Sequence, residues 1–399
     1  MHLTREEEKC LQGERGEAIA TALKLLVTIG DIFEAERLIP VRSAQISGVS
    51  YKTIGDAGLE FIENFADLGA KTTVRTTTNP AGMDLERWKE TGVPEDFALK
   101  QIRIISALVK MGANPTCTCT PYLLEEKPHY GDHIAWAESS AVIYANSILG
   151  ARTNREGGPT ALASAIAGKT PFYGAHLDEN RAPTIDVDIQ TQLRNELDYS
   201  LLGFLIGKES AGGIPLISLH SHMPNIVCLK ALGASMATSG GQAIYHIRDL
   251  TPESHKFRDS QLHEKISVER HDLEKVKDSL STEKQPDCVC LGCPHCSIDE
   301  IRRVSKWAEG KRLKKRLSVF TSKHVWGLAK AEGLLDSIVG AGGAIIRDTC
   351  MVVAPFEQMG ISDVVINSAK AAYYLPSLCS TSVRLASLEE CLEYALHGD

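Results

Sequence analysis

Four of the eleven cysteines in this 399-residue chain fall within nine positions, Cys288, Cys290, Cys293 and Cys296, in the segment Cys-Val-Cys-Leu-Gly-Cys-Pro-His-Cys-Ser. Thiolates are soft ligands suited to zinc or to iron–sulfur cores. The spacing Cys290-x2-Cys293-x2-Cys296 is close to an electron-transfer ferredoxin run, without the further cysteine and trailing proline of that pattern. A structural zinc site needs a fourth ligand, and His295 is the only near candidate. Cys117 and Cys119, in Cys-Thr-Cys, and Cys350, in Arg-Asp-Thr-Cys-Met, also stand where strands are expected to end. Distant thiols converging on one metal centre is therefore a further reading. Free cysteine is also a common small core residue. That plainer role suits Cys10, Cys228, Cys379 and Cys391, in helical or apolar contexts, and Cys290 on its strand. Cys293, between Gly292 and Pro294, is best placed for chemistry because it sits on a loop.

The elements that must carry these thiols follow from the pattern of apolar residues. Thr4 and Glu7 fit a capping box, and a second helix runs roughly from Glu14 to Ile29 before Gly30 and Asp31 stop it. Strands are predicted at Arg37 to Ile46 and Lys71 to Thr76, and helices at Ala57 to Leu68, Pro94 to Met111, up to Leu149, and Thr160 to Ala167, with Pro159 suited to a first turn. Apolar strands are predicted at Leu201 to Ile206, Ile214 to Leu219 and Ile244 to Ile247, with His220 and His222 as strand-end polar residues. Arg248 to Asp287 is charged and poor in apolar runs, apart from a helix near Asp272 to Leu280. This shift is the clearest domain boundary.

The last segment repeats a βα pattern four times, with strands at Cys288 to Leu291, Leu317 to Thr321, Ala344 to Ile346 and Val364 to Asn367. Alternation of this kind argues parallel sheets covered by helices on both faces, with ligand loops at the strand C-termini. We expect an α/β chain divided as 1–135, 136–280 and 281–399.

Composition narrows the function classes. A net charge of −8 argues against a nucleic-acid or anionic-membrane partner, either of which needs a concentrated basic face, and the short run Lys311 to Arg316 reads as a solvated edge. The N-terminus is acidic and without an apolar leader, and no apolar run approaches the roughly 20 residues that cross a bilayer. A cytoplasmic location, with thiols free or bound to metal, is expected.

Several motifs together carry a resemblance that covers essentially the whole chain. Val-Cys-Leu-Gly-Cys-Pro-His-Cys-Ser-Ile-Asp-Glu-Ile-Arg-Arg, Gly-Ala-Arg-Thr-Asn-Arg-Glu-Gly-Gly, Ile-Ser-Gly-Val-Ser-Tyr-Lys-Thr-Ile-Gly-Asp-Ala-Gly, Cys-Thr-Cys-Thr-Pro-Tyr and Asn-Ser-Ala-Lys-Ala-Ala-Tyr-Tyr-Leu-Pro resemble the aconitase X family. The loop from Cys288 also resembles the Gly-Ser-Cys-Thr-Asn-Ser cluster loop of the wider aconitase superfamily, shifted by one position. The resemblance implies aconitase-like three-layer α/β/α domains with mostly parallel sheets, the swivel domain being absent from this chain. It implies a hydro-lyase whose iron–sulfur cluster, 4Fe-4S with one open iron or 3Fe-4S if oxidised, acts as a Lewis acid. The ligands carried over by motif are Cys119, Cys293 and Cys350, with Cys117 the rival of the first and Cys296 of the second.

The resemblance also implies a separate small swivel-domain subunit that closes the site and brings a serine base. Its substrate would be a small 3-hydroxy acid. One family branch dehydrates cis-3-hydroxy-L-proline. The other, archaeal, converts (R)-5-phosphomevalonate to trans-anhydromevalonate 5-phosphate in a modified mevalonate pathway, and the chain's length and motif variants stand nearer to it. Substrate contacts are expected from hydroxyls, amides and cations on strand-end loops: Ser47, Gly48, Thr78, Asn79, Glu138, Ser139, Asn154, Arg155, Ser239, Gly240, Lys323, Asn367, Ser368 and Lys370. Arg155 and Lys370 lead, the first for its bidentate fork and the second for its place near a helix N-terminus. A zinc scaffold and a ferredoxin-like redox module are the competing classes.

Overall fold

The computed structural model describes residues 1–220, 223–258, 260–282 and 284–398. Three groups of strands follow one another along the chain. The first comprises β1 (Leu38–Pro40), β2 (Ser43–Ile46), β3 (Arg75–Thr78), β4 (Ala135–Trp136) and β5 (Lys169–Pro171). β2 lies between β3 and β4, parallel to both, while β1 and β5 form a separate antiparallel pair. The expected single strand Arg37 to Ile46 is thus two strands in two sheets. Pro40, which has no N–H to donate, ends the first. The strand expected at Lys71 to Thr76 forms later, at β3, and the expected division at residue 135 falls within β4.

The second group is β6 (Ile185–Ile189), β7 (Pro215–Leu219), β8 (His246–Ile247) and β9 (Glu264–Val268), all parallel in the order β8-β7-β6-β9. The charged stretch after Arg248 supplies β9 and the helix Arg270–Leu280. Leu201 to Ile206, expected as a strand, lies inside the helix Glu196–Glu209, which is buried from Glu196 to Gly207. A helix that is apolar all round carries no 3.6-residue stripe, so its sequence reads like a buried strand. Gly203 allows the close contact with the helix Ile226–Gly240: a β-carbon there would stand 2.1 Å from the Leu232 carbonyl oxygen. His220 pairs with Asp188 at 2.6 Å on the surface, and His222 lies outside the described residues.

The third group is β10 (Cys288–Leu291), β11 (Arg316–Thr321), β12 (Ala344–Arg347), β13 (Asp363–Ile366) and β14 (Ser382–Leu385), all parallel in the order β12-β11-β10-β13-β14. Both faces are buried, as a parallel sheet requires. Cys288 and Cys290 share one face and pack in the core with Leu202, Leu232 and Leu375 of three helices, whereas Val289 and Leu291 face Ile301 and Leu392 on the other side. The fold is α/β, with mostly parallel sheets and flanking helices. Among the described residues no helix is long and apolar enough to cross a membrane.

Candidate functional site

Cys293 owes its position to the residue before it. Gly292 has φ 106°, and a β-carbon there would lie 2.2 Å from the Phe320 carbonyl oxygen, so only glycine lets β10 turn this tightly against β11. The turn is then fastened to β11: the Cys296 N–H donates to that same carbonyl at 2.9 Å, and Thr321 Oγ1 donates to the Cys296 carbonyl at 2.7 Å. Ser297 next opens the helix Ile298–Ala308 through a capping box with Glu300.

The Cys119 and Cys350 loops are anchored just as closely. The Thr118 N–H donates to the Thr78 carbonyl at 3.1 Å, and the wholly buried Gln45 on β2 donates to the Thr118 carbonyl at 3.1 Å while accepting the Glu138 N–H. After β12, the Cys350 N–H donates to the Ala81 carbonyl at 3.1 Å, and the Ala81 N–H donates to the Asp348 carbonyl at 2.8 Å. Arg347 grips Asp84 with Nε and Nη2, each at 3.1 Å, in a buried two-pronged pair that fixes this loop to the one after β3.

The three thiols belong to one neighbourhood. Cys119 stands within electrostatic reach of Glu138 and Cys350, Cys293 of Lys370 and Cys119, and Cys350 of Cys293 and Lys370. Burial pushes each thiol up to about 12. The rivals sit differently. Cys117 is fully buried, with its sulfur 3.6 Å from Thr78 Oγ1 and Asp348 and Lys323 as its charged neighbours. Cys296 packs in the apolar layer with Val289, Leu291 and Ile301, although Cys119 and Cys293 remain near it.

Beside the thiols lies a buried ion pair. Lys370 Nζ is 2.6 Å from Glu138 Oε1 and 3.3 Å from Ser140 Oγ. Burial is the largest influence on both and works against each charge, yet the neighbours together outweigh it. Lys370, Ser140 and the Ala141 N–H hold the Glu138 carboxyl below its ordinary value, and Glu138 with the nearby thiols holds the Lys370 ammonium above its own. Glu138 also caps the helix Ser139–Tyr144 by accepting the Ala141 N–H at 2.7 Å. Ser368 caps the helix Ala369–Cys379 by accepting the Ala371 N–H at 3.3 Å, and it lies near the Cys293 thiol.

The other expected contacts divide in two. Arg155 is exposed, with Nη1 3.8 Å from where a β-carbon on Gly241 would sit, which brings it to the end of the helix carrying Ser239 and Gly240. Asn79 has a buried Oδ1 with no hydrogen-bond partner among the described residues, and Asn367 is half-buried at the end of β13. Ser139 is buried in the first turn of its helix. The remaining residues have partners within the fold or border a cavity. Asn154 donates to the Tyr173 carbonyl at 3.1 Å and accepts the Ala175 N–H at 2.8 Å. Thr78 accepts the Cys117 N–H, Ser239 donates to the Ser235 carbonyl, and Gly240 packs against Gly207. Lys323 pairs with Glu86 at the surface, and Ser47 and Gly48 border a cavity of about 170 Å³ with Ile54, Phe61 and Leu162.

Sequence reasoning gave His295 no role except as a metal ligand. It is 1% exposed, and both ring nitrogens are engaged: Nε2 is 2.8 Å from the Thr349 carbonyl and Nδ1 3.3 Å from Thr118 Oγ1. It is therefore not free to complete a zinc site. Burial takes it down to about 4. Among the described residues no three His, Cys, Asp or Glu side chains stand close enough to hold a single metal ion. An iron–sulfur cluster draws its thiolates from separate corners, so three soft donors from three loops fit it better than one ion.

A parallel-sheet α/β fold with thiols gathered at the ends of three of its segments defines a class of protein. Residues 1–179 match the aconitase X first domain, 183–278 the second and 286–397 the third. The chain belongs to the aconitase X family. It is 50% identical to the phosphomevalonate dehydratase large subunit of Methanocaldococcus jannaschii, over 98% of this chain and all of that one. It is 34% identical to the cis-3-hydroxy-L-proline dehydratase of Pseudomonas aeruginosa, over 98% of this chain but 69% of that longer one. The crystal structure of Thermococcus kodakaraensis aconitase X in its holo-form superimposes with a TM-score of 0.92 at 44% identity, covering 99% of this chain and 100% of that one.

Proposed function

We propose that this chain is the large, cluster-bearing subunit of a hydro-lyase that dehydrates (R)-5-phosphomevalonate to trans-anhydromevalonate 5-phosphate, with a small swivel-domain subunit as its partner. The observation that carries the reading is the meeting of Cys119, Cys293 and Cys350 beside the Lys370–Glu138 pair, in a chain 50% identical to a phosphomevalonate dehydratase large subunit. Those three cysteines would hold an iron–sulfur cluster. When bound, the cluster supplies Lewis acidity toward an oxygen ligand.

Dehydration of a 3-hydroxy acid removes a proton from the carbon beside the carboxylate and hydroxide from the next carbon, leaving a carbon–carbon double bond. The chain's own contribution is to bind and to orient. Arg155 presents a guanidinium to solvent at the loop edge, where a carboxylate or phosphate can be gripped by two N–H groups. The Asn79 amide oxygen offers an unspent acceptor to a substrate hydroxyl. Lys370, kept charged by Glu138, outweighs its partner at Cys293 and Cys350 and so places its positive charge on that side of the thiols, where it can favour negative charge developing as the proton leaves. The proton acceptor itself is expected from the small subunit.

The test is an anaerobic assay of the reconstituted two-subunit protein, with phosphomevalonate and cis-3-hydroxy-L-proline offered side by side. Water loss from the phosphorylated acid alone supports the reading. Turnover of the proline alone assigns the chain to the other branch.

A further inference from the structure

His295 touches all three thiol-bearing loops. It follows Cys293 by two residues, its main-chain N–H donates to Cys119 Sγ at 3.3 Å, and its ring reaches the residues directly before the other two cysteines, Thr118 and Thr349. The bonding fixes the tautomer. The Thr349 carbonyl can only accept, so Nε2 carries the hydrogen, and the bare Nδ1 accepts the Thr118 hydroxyl. Thr118 Oγ1 accepts the Thr120 N–H at 3.1 Å and lies 3.0 Å from the Thr120 hydroxyl, which donates to it when the Thr118 hydrogen is directed to the bare ring nitrogen. Behind the ring, the His295 carbonyl accepts from the buried ammonium of Lys230, which pairs with Glu300 in the capping box of the next helix. Outside the Thr118–Thr120 contacts, each donor meets a group that can only accept, and the chain of bonds ends on a rigid helix.

We propose that His295 is a positioning residue that locks the three thiol loops together in the unloaded chain, one ring nitrogen for the Cys119 loop and the other for the Cys350 loop. The inference rests on the reading of Cys119, Cys293 and Cys350 as one centre. It assigns the arrangement of that centre to the protein and not to the group it holds.

Alkylation of the full-length, iron-free chain by iodoacetamide, read peptide by peptide by mass spectrometry, tests it. In His295→Ala, Cys119 and Cys350 should react roughly tenfold faster or more, the factor expected from losing one buried hydrogen bond at each loop. Cys10 and Cys391, remote in other cores, should not change. The two nitrogens can be separated. His295→Gln places an amide N–H near the position of Nε2 and should protect Cys350 while exposing Cys119. His295→Asn places a carbonyl near the position of Nδ1 and should do the reverse. Thr118→Val, which keeps its shape and loses only the hydroxyl, should expose Cys119 alone, and it serves even if His295→Ala fails to fold. Iron uptake per chain on reconstitution should fall with the exposed thiol.

Wild-type alkylation rates at all three cysteines in a folded His295→Ala chain would overturn the proposal. So would an equal rise at Cys10 and Cys391, which marks general loosening. A wild-type chain that takes up no cluster, yet shows the crossed Gln and Asn pattern, would sink the functional reading and leave the positioning role standing.

Discussion

Lys370 and Glu138 carry opposite charges in a buried setting, so the two must be changed together to be understood. Lys370→Met leaves a buried carboxylate without its cation and should cost about 3–5 kcal/mol in denaturant unfolding. Adding Glu138→Gln should restore much of that stability without restoring turnover. Recovery of both would make the pair purely structural. Arg155→Gln should leave the unfolding midpoint unchanged and raise KM roughly tenfold to a hundredfold, the worth of a charge-assisted bidentate contact. An unchanged KM would remove Arg155 from the site. At this scale chemistry was suggested where residue type is unusual, as with a glycine-bounded arginine or four thiols in nine positions, of which only Cys293 is proposed as a ligand. It was not legible for Asn154, whose amide is spent on the Tyr173 and Ala175 backbone, or for His295, whose partners lie 177 and 54 residues away. A side chain's type does not say which carbonyl it will meet.

Elements place those residues, and the turn after β10 shows how. Gly292→Ala would force a left-handed conformation and drive a methyl group into the Phe320 carbonyl. We expect a loss of at least about 1–3 kcal/mol from strain, together with a reduced iron content on reconstitution. Iron uptake at the wild-type level would show that the turn does not position Cys293. The βα alternation of the last third was readable because buried parallel strands are short, continuous apolar runs closed by loops. The strand β14 went unread, although it pairs with β13 along its length. The helix Glu196–Glu209 was mistaken for a strand because burial on every side erases the stripe that marks a helix.

Across the molecule, the mostly parallel sheets and the free, largely buried thiols follow from composition and pattern. The meeting of the 119, 293 and 350 loops did not follow from them; it came from family motifs, because the contacts are too distant in sequence for periodicity to report. Acid stability is a further whole-molecule property. His176 is buried, with Nδ1 3.0 Å from His133 Nδ1, and burial takes it down to about 3 from 6.5. Its folded pKa is depressed, so its contribution is complete above pH 6.5 and is lost as pH falls toward 3. Between pH 7 and pH 5 the loss should be roughly 2 kcal/mol. His176→Gln should flatten the urea-unfolding difference between those two pH values by that amount, and an unchanged difference would place the acid sensitivity elsewhere.

The central claim is that Cys119, Cys293 and Cys350 form one centre. Its most direct test is iron and sulfide content after anaerobic reconstitution of five single Cys→Ser variants, at 117, 119, 293, 296 and 350. The account predicts that substitution at 119, 293 or 350 abolishes the brown chromophore, while substitution at 117 or 296 leaves it at the wild-type level. A chromophore that survives loss of Cys119, Cys293 or Cys350, or disappears with Cys117 or Cys296, would contradict it.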